Sequence, residues 1–373
     1  MEELKRCTKC IMPNTKPDLS FDDEGVCDAC QSSEAKQLID WDAREKEFCK
    51  VLEKYKNKDG SNYDCIIPVS GGKDSTFQAY MIKKYGLNPL CVTWAPAMRT
   101  DLGKKNIEGL QRLGVDHIQF TANPVTYRKL FKEALIRLGD PCWSCHLGIF
   151  TYPVRIAVLY KVPLIIWGEN PQLEYGGPEA ARKSHILDKR WLHEFGGLMG
   201  NRLEAMVSDD IPMRDLQSLV YPSKEELDEV GVTGIFLGTY FKWDAMAQTE
   251  IIKKHGFRVK EDGPAEGCYH NYENLDCKLN VLHTYLKYLK FGFGKATDHL
   301  CLDIRHKRMT REKALEEIKE FDGTKPKEHL KEICQYLDVT EEELWKITES
   351  FRGYFWDHDA KDEDHSVFAS QRT

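Results

Sequence analysis

The strongest constraint on this 373-residue chain is a short glycine-containing string, VSGGKDS at positions 69–75. An apolar run that ends at Val69 predicts a strand before it, and Phe77, Tyr80 and Met81 predict the apolar face of a helix after it. Two adjacent glycines allow a tight turn in which backbone N–H groups and the helix N-terminus converge on phosphate oxygens. A turn that only caps the helix is the alternative. The complete string between a strand and a helix favours a nucleotide-phosphate site over that alternative.

The spacing within the string excludes one common phosphate loop. A Walker A loop has four residues between its first glycine and its Gly-Lys-Ser/Thr end, and this string does not. Its serine hydroxyls and the Lys73 ammonium group are additional donors to a phosphate. The predicted nucleotide-binding residues of the loop are Ser70, Gly71, Gly72, Lys73, Asp74 and Ser75.

Short apolar runs alternate with helical patterns from about residue 61. Such alternation predicts a mostly parallel sheet with helices on both faces, which is the doubly wound α/β fold class. Glycine pairs and many charges interrupt the pattern at about 174–230, which predicts an insertion or lid over the site, and a last strand is predicted at 234–241. The predicted organisation is a cysteine-rich module at 1–35, a helical linker at 36–60, the nucleotide-binding domain at 61–245, and a mainly helical region at 246–373 whose tail, from 357, is polar and loose.

Four cysteines dominate the N-terminal segment, which has too few periodic apolar residues to fold around a core of its own. Cys7-x-x-Cys10 and Cys27-x-x-Cys30 are two knuckles separated by 16 residues, a spacing typical of a Cys₄ zinc ribbon. Metal binding would then supply the folding energy of the module. Because protein ligands would fill all four positions, the predicted role of this zinc is structural.

A third pair, Cys142-x-x-Cys145, is less specific. It precedes a helix predicted at 148–160, and it fits a redox pair, half of a metal site, or two cysteines at the mouth of a helix. Cys268 is the candidate if a third ligand is needed. The histidines His185, His193, His270 and His283 are interpreted as ordinary polar residues.

Composition narrows the class of protein. The chain has no apolar run long enough to span a membrane and no signal-peptide pattern at its N-terminus, so we expect a cytoplasmic protein. Thirteen cysteines, many of them isolated, are typical of reduced thiols. A formal net charge of −7 makes nucleic acid a poor default partner. This net charge does not exclude small anionic molecules as substrates.

The loop resembles the PP-loop of the ATP pyrophosphatases, which include GMP synthetase, asparagine synthetase, argininosuccinate synthetase and tRNA thiolation enzymes. The resemblance implies that the loop grips the pyrophosphate end of ATP, that magnesium bridges the phosphates, and that a substrate oxygen attacks the α-phosphorus, giving AMP and pyrophosphate. It also implies that Thr93 and Trp94, at the end of the second strand, lie against adenine.

Three further strings resemble the bacterial N-acetyl sugar amidotransferases of the PseA/WbpG type, which act in surface-polysaccharide and flagellin-glycan biosynthesis. They are CTKCIMPNTKP at 7–17, WGENPQLEYGG at 167–177 and KFGFGKATDH at 290–299. Those enzymes convert the acetamido group of a sugar to an acetamidino group. The resemblance implies two partners, a glutaminase subunit and a cyclase-like ammonia-channel subunit (HisH/HisF-like). The acidic sugar stays undetermined between a nonulosonic acid and a UDP-linked diacetamido uronic acid.

This resemblance also implies roles for individual residues. Glu169 would hold magnesium or the ribose, Asn170 would orient the activated amide, and Lys295 and Arg305 would bind a carboxylate or the α-phosphate. A surface turn and a solvated basic helix face are the respective alternatives. The expected catalytic residues are Lys73, Asp74, Glu169, Asn170 and Lys295, with Gly168 at the nucleotide. The expected substrate-binding residues are Tyr175, Gly176, Tyr240, Trp243, Asp244, Lys290, Asp298 and Arg305.

A tRNA thiolation enzyme is the competing interpretation, because such enzymes also combine a PP-loop with zinc knuckles and additional Cys-x-x-Cys pairs. The acidic balance of the chain and the shortness of its basic stretches, such as residues 305–308, argue against it. A zinc-stabilised nucleotide-binding scaffold without turnover is a third interpretation.

Overall fold

The computed structural model describes residues 4–177, 198 and 200–356. In these residues one five-stranded sheet has the order β3-β2-β1-β4-β5, and every neighbouring pair is parallel. This confirms the predicted α/β class with a parallel sheet. The strands are β1 Cys65–Pro68, β2 Pro89–Trp94, β3 Asp116–Phe120, β4 Leu164–Trp167 and β5 Thr233–Phe236.

Helices cover the sheet and form most of the C-terminal region. The described α-helices are α1 Asp28–Ala35, α2 Trp41–Tyr55, α3 Lys73–Lys84, α4 Asp101–Gly109, α5 Pro124–Leu138, α6 Trp143–Tyr160, α7 Pro171–Tyr175, α8 Lys224–Val230, α9 Ala245–Lys253, α10 Asn280–Phe291, α11 Lys295–Arg305, α12 Arg311–Phe321, α13 Leu330–Leu337 and α14 Glu341–Glu349. The predicted linker is part of the packed structure, since Phe48 of α2 is fully buried against Tyr240 and Phe241.

The strand order locates the ligand side of the sheet. The chain runs outward from β1 through β2 to β3 and then returns to place β4 on the other side of β1. Strand order therefore reverses between β1 and β4, and open α/β sheets bind ligands in the crevice beyond the carboxyl ends of strands at such a point. The phosphate loop follows β1 and Glu169 follows β4, so both lie at this crevice.

The N-terminal module packs on the C-terminal helices. Its four cysteines share one apolar cluster with Phe293, Leu300 and Cys301. The Arg311 guanidinium also donates through Nε to the carbonyl oxygens of Cys7 and Cys10, at 3.1 and 3.0 Å. The first and last thirds of the chain are thus held together directly.

Three predictions need correction. Residues 200–230 pack apolar side chains such as Leu203 and Leu216 into the core beside α5 and α6, so a lid over the site is wrong for this part, while 178–197 and 199 lie outside the described residues. The last strand ends at Phe236, because residues 237–239 turn into a 3₁₀ helix. The helix predicted at 148–160 begins at Trp143, where the Asp140 carboxylate accepts a hydrogen bond from the Cys142 N–H. The predicted loose tail from 357 also lies outside the described residues.

Candidate functional site

The phosphate loop is a compact turn whose donors point toward its own hydroxyls. The Ser70 N–H donates to Ser75 Oγ at 3.2 Å, and the Gly72 N–H donates to Ser70 Oγ at 3.1 Å. Helix α3 begins directly at Lys73, so its first-turn N–H groups have no partner within the helix. Backbone amides and a helix N-terminus therefore converge on one point, which is the geometry that binds phosphate.

Both the backbone conformation and the limited space require a glycine at position 71. Its φ is +82°, a conformation that residues with a Cβ rarely adopt, and an added Cβ would lie 2.9 Å from the backbone nitrogen and from Cγ1 of Ile107. The loop therefore packs closely against Ile107, in the C-terminal half of α4. Thr93 holds it from the other side, because its Oγ1 donates to the Val69 carbonyl at 2.6 Å.

Lys73 is a buried cation held by carboxylates from distant parts of the chain. Its ammonium group lies 2.6 Å from Asp74 Oδ2 and 2.8 Å from Glu273 Oε1, and the residue is only 6% exposed. Burial disfavours its charge, but Asp74, Glu273 and Glu169 together raise the pKa of Lys73 well above its ordinary value. The lysine is therefore charged and positioned at the loop.

Glu273 is a site residue that the sequence analysis missed. It belongs to an irregular segment before α10, and no local motif marks it. Burial disfavours its charge, yet Lys73, Lys295 and His299 hold the pKa of Glu273 well below its ordinary value. No signal in the sequence marks Glu273, because its contact with the loop depends on tertiary structure.

Lys295 approaches the same group from α11. It begins that helix, its ammonium group lies 5.7 Å from the centre of the Tyr175 ring, and it interacts electrostatically with Glu273, Asp298 and Glu169. His299, one turn further along, is buried, and its Nδ1 accepts a hydrogen bond from the Tyr269 N–H at 3.2 Å. Burial lowers the pKa of His299 to about 3, so the ring is neutral beside the cations.

Glu169 is the unusual carboxylate of the group. Burial and the neighbouring Asp74 raise its pKa to about 8, against the opposing effect of Lys73 and Lys295. Asp74 contributes a buried oxygen, Oδ1, that has no hydrogen-bond partner among the described residues. Clustered carboxylates with an unpartnered buried oxygen are the donor set of a hard divalent cation, so Asp74 and Glu169 fit magnesium.

A cavity of about 440 Å³ is lined by Glu174, Trp243 and Arg305, among other residues. The Arg305 guanidinium borders it and donates to the Glu174 carbonyl at 2.7 Å and to Cys10 Sγ at 3.6 Å, so this arginine ties the cavity wall to the cysteine module. Trp243 forms another wall and packs edge-on against Phe77 of α3, with ring centres 5.8 Å apart. The remaining described polar lining includes Lys36, Trp41, Lys242 and Lys307.

Several predicted residues contact the site through the backbone or support it. Gly168 lets Gln78 approach, since an added Cβ would lie 2.6 Å from Gln78 Nε2. Asn170 is buried directly before α7. Gly176 makes room for the Asp28 carboxylate, which an added Cβ would overlap, so this turn packs on the cysteine module. Asp298 is buried and paired with Lys287 behind Lys295.

Other predicted residues have different partners. The Trp94 indole is buried against Gly148, and its Nε1 donates to the Tyr127 hydroxyl at 2.6 Å, so contact of its ring with adenine stays a prediction. Tyr240 packs on Phe48. Asp244 caps α9 and pairs with Arg308. Lys290 donates to the Leu138 carbonyl at the end of α5, at 2.8 Å.

The four N-terminal cysteines form a closed group. Their sulfur atoms lie within 4.8 Å of one another, all four residues are buried, and the Cys27 N–H donates to Cys7 Sγ at 3.2 Å. Four convergent thiols with backbone N–H donors to sulfur are compatible with zinc, and they are the ligands that structural zinc sites use.

Cys142 and Cys145 lie at the start of α6. Burial raises the pKa of both thiols well above the ordinary value. Cys268 is not beside them, because it is buried near Asn274, whose Nδ2 lies 3.3 Å from its sulfur. The described residues that group with Cys142 are Asp140 and His283. Treating His283 as an ordinary polar residue therefore overlooked this contact.

Comparison with known proteins identifies the C-terminal part of the chain. Residues 266–370 match a family described as "LPS biosynthesis protein WbpG-like, C-terminal domain". The "Uncharacterized protein MJ1599" of Methanocaldococcus jannaschii is 29% identical over 169 residues, and the match spans 44% of this chain and 59% of that relative.

Among the described helices, none has the length and apolar character needed to cross a membrane.

One solved structure shares a limited part of the backbone trace. It is the NMN synthetase of Francisella tularensis, at 16% identity and a TM-score of 0.30, covering 60% of this chain and 89% of that one. That similarity is too low to support an argument about function. The family match includes Glu273, which contacts Lys73 of the phosphate loop, and Lys295, which interacts electrostatically with Glu273. The C-terminal part of the chain, residues 266–370, is thus similar to the C-terminal domain of WbpG-like LPS biosynthesis proteins.

Proposed function

We propose that the protein is an ATP-dependent amidotransferase that converts the acetamido group of an acidic bacterial sugar to an acetamidino group. The observation that carries the proposal is the 2.8 Å contact between Lys73 of the phosphate loop and Glu273 of the WbpG-like domain. It joins a nucleotide-binding element to a domain of LPS biosynthesis proteins in one buried group of charges. The products of the nucleotide are AMP and pyrophosphate.

The reaction has two steps. The amide oxygen of the sugar attacks the α-phosphorus of ATP, which forms an O–P bond and releases pyrophosphate. Ammonia then attacks the imidate carbon, and AMP leaves with the former amide oxygen. In the first step the loop N–H groups and Lys73 bind and neutralise phosphate oxygens. Magnesium, held by Asp74 and Glu169, would neutralise further phosphate charge when bound.

Two residues beyond β4 suit the second step. In both steps Glu169 would hold magnesium, and we assign Asn170 the orientation of the amide. Lys295 supplies the second cation of the group for the negative charge of the adenylate.

The cavity lined by Glu174, Trp243 and Arg305 suits an acidic sugar. The half-buried indole ring of Trp41 offers a face on which a sugar ring can stack, and the buried Trp243 forms a wall of the cavity. Lys242 and Lys307 are exposed at its border and have the charge that a carboxylate requires. Glu174, also at the border, is electrostatically coupled to Glu169, which connects the cavity to the reacting centre.

Ammonia would come from a separate glutaminase subunit through a cyclase-like channel subunit, and the proposed location is the cytoplasm. The first measurement is pyrophosphate release with Mg²⁺, ATP and ammonium. It compares N-acetylated nonulosonic and diacetamido uronic acids with unmodified tRNA. We expect sugar-dependent release and a product about one mass unit lighter, as replacement of O by NH requires. Release stimulated by tRNA alone would support thiolation instead, and a lack of stimulation by every sugar would refute the amidotransferase assignment.

Variants at the cavity test the binding of the sugar separately from the binding of ATP. Lys242→Ala and Lys307→Ala should raise the KM for the sugar about tenfold, the scale of one lost charge-assisted contact, with the KM for ATP unchanged. Lys254→Ala, an exposed lysine at the end of α9, is the matched control. Equal KM values in all three variants would exclude this cavity as the carboxylate site.

A further inference from the structure

A second group of potential metal ligands lies outside the nucleotide site. Asp140, Cys142 and His283 each offer one ligand atom, and these atoms lie within 4.8 Å of one another. Asp140 and Cys142 are at the junction of α5 and α6, while His283 is on the first turn of α10. Asp140 and Cys142 are two positions apart in sequence, whereas His283 follows Cys142 by 141 positions. The fold therefore brings the three residues together.

The spacing and chemistry suit a transition metal. Ligand atoms at about 2.0–2.3 Å from a tetrahedral ion lie about 3.3–3.8 Å from each other, which small side-chain rotations can reach from this arrangement. Thiolate, imidazole and carboxylate together are ligands that zinc accepts, whereas magnesium and calcium prefer oxygen alone. The Nδ1 atom of His283 lies 2.9 Å from Asp140 Oδ1, so the carboxylate also fixes the orientation of this ring.

A fourth residue points to a ligand independently. His146, on the first turn of α6, has a buried Nδ1 atom with no hydrogen-bond partner among the described residues. Its ring lies edge-on to that of His283, with the ring centres 5.5 Å apart. A buried imidazole nitrogen without a partner is costly in a folded protein, and a bound metal ion would satisfy it.

From this geometry we propose that Asp140, Cys142, His146 and His283 form a second zinc-type site. Its ion joins the start of α6, next to the sheet, to α10 of the WbpG-like domain. Cys145 is outside the set, since its thiol interacts with the Tyr127 hydroxyl. The His283 side chain is about one-third exposed, which leaves a route for the ion from solvent. The alternative is a hydrogen-bonded Asp–His pair that only caps α6.

Metal analysis of the full chain tests the site without ATP or sugar, so its outcome is independent of the proposed function. The protein is purified with zinc present, dialysed against a weak chelator, and its zinc is measured by mass spectrometry. We expect about two ions per chain, one at each cysteine-containing group. Cys142→Ser and His283→Gln should each remove about one ion, and Cys27→Ser should remove the other.

The chain offers a matched control for the histidine. His270 pairs with Asp303 at 2.9 Å, the same distance as the His283–Asp140 pair, but Cys142 and its group are not beside it. His270→Gln should therefore keep the wild-type zinc content. Zinc content that is unchanged in Cys142→Ser and His283→Gln, and lost only in Cys27→Ser, would overturn the proposal.

A second measurement covers variants that fail to fold. Cobalt titrated into the metal-free wild-type chain should give two spectra, an intense sulfur charge-transfer band from four thiolates and a weaker one from a single thiolate. Asp140→Asn keeps an acceptor for the Cys142 N–H, and it should weaken only the band that comes from the single thiolate. A single cobalt species with tetrathiolate intensity would contradict the second site.

Discussion

The phosphate loop and the C-terminal segment contribute to one charged group in different ways. The loop contributes backbone N–H donors and adjacent side chains, Lys73 and Asp74, whose positions follow from seven consecutive residues. The WbpG-like domain contributes Glu273 and Lys295, which are 22 residues apart and approach from an irregular segment and a helix start. A local motif therefore defines the predicted phosphate site, while long-range packing defines the charge around it.

Loss of the loop cation should have the largest effect. We expect Lys73→Gln to lower kcat/KM for ATP about 10³-fold, the scale of removing one preorganised group that stabilises developing charge. Pyrophosphate release measures the effect, and thermal unfolding checks that the protein is folded. Lys84→Ala, an exposed lysine at the end of the same helix, is the control. Activity of Lys73→Gln comparable to wild type would remove the loop from the reaction.

Loss of the C-terminal carboxylate should have a smaller effect of a different kind. Glu273→Gln should lower kcat/KM about 10-fold to 100-fold, since Glu273 positions Lys73. It should also move the alkaline limb of the pH profile to lower pH, because one of the carboxylates that raise the pKa of Lys73 is gone. A purely structural role would leave that limb in place. Glu266→Gln is the control, because Glu266 accepts hydrogen bonds only from the N–H groups of Lys327 and Glu328 among described residues.

The loop backbone can be tested against a glycine of similar conformation. Gly71→Ala should cost about 1–3 kcal/mol of unfolding free energy through its positive φ, plus the contact with Ile107. Gly60 has a φ of +69° and nothing within 4 Å of an added Cβ, so Gly60→Ala reports the backbone cost alone. If urea unfolding gave the same loss of unfolding free energy for both variants, the contact between the added Cβ and Ile107 would cost nothing.

The smallest expected effect is a pH-dependent change in stability. In the ligand-free protein the pKa of Glu169 rises from 4.5 to about 8, so the folded state binds the additional proton between these pH values. Stability contributed by the protonated carboxyl is present at low pH and is lost as pH rises toward 8. Glu169→Gln should therefore raise Tm above wild type by a few degrees at pH 8 and less at pH 5. A constant difference in Tm across this range would contradict the raised pKa.

The same contrast explains what could be predicted from sequence. The parallel sheet could be predicted, because short buried apolar runs such as the four residues of β4, between a helix and a glycine, leave few alternatives. The cysteine pairs at the N-terminus were recognisable because each knuckle is local. The buried Lys73–Glu273 and Asp140–His283 contacts were not, since no periodicity relates residues 200 or 143 positions apart.

Trp94 and Lys290 have partners within the protein that assigning roles by resemblance does not reveal. Both occur in strings that resemble ligand-binding segments, yet the indole fills the space that Gly148 leaves in α6, and the ammonium group satisfies the last turn of α5. The last turn of a helix has carbonyl groups without partners in the helix, and a cation can satisfy them. A glycine leaves space that a large side chain can fill. Both side chains therefore already have partners within the protein. Sequence alone does not rank such competing partners.

The Lys73–Glu273 contact also has a consequence for synthesis. The ribosome adds about 5–20 residues per second, so the 200 positions between these residues take about 10–40 s to translate. During that time the phosphate loop exists without Glu273 and Lys295. A nascent chain therefore completes its sheet before it completes the charged group at the loop, and the proposed ATP-dependent activity would be acquired only when translation has passed the start of α11.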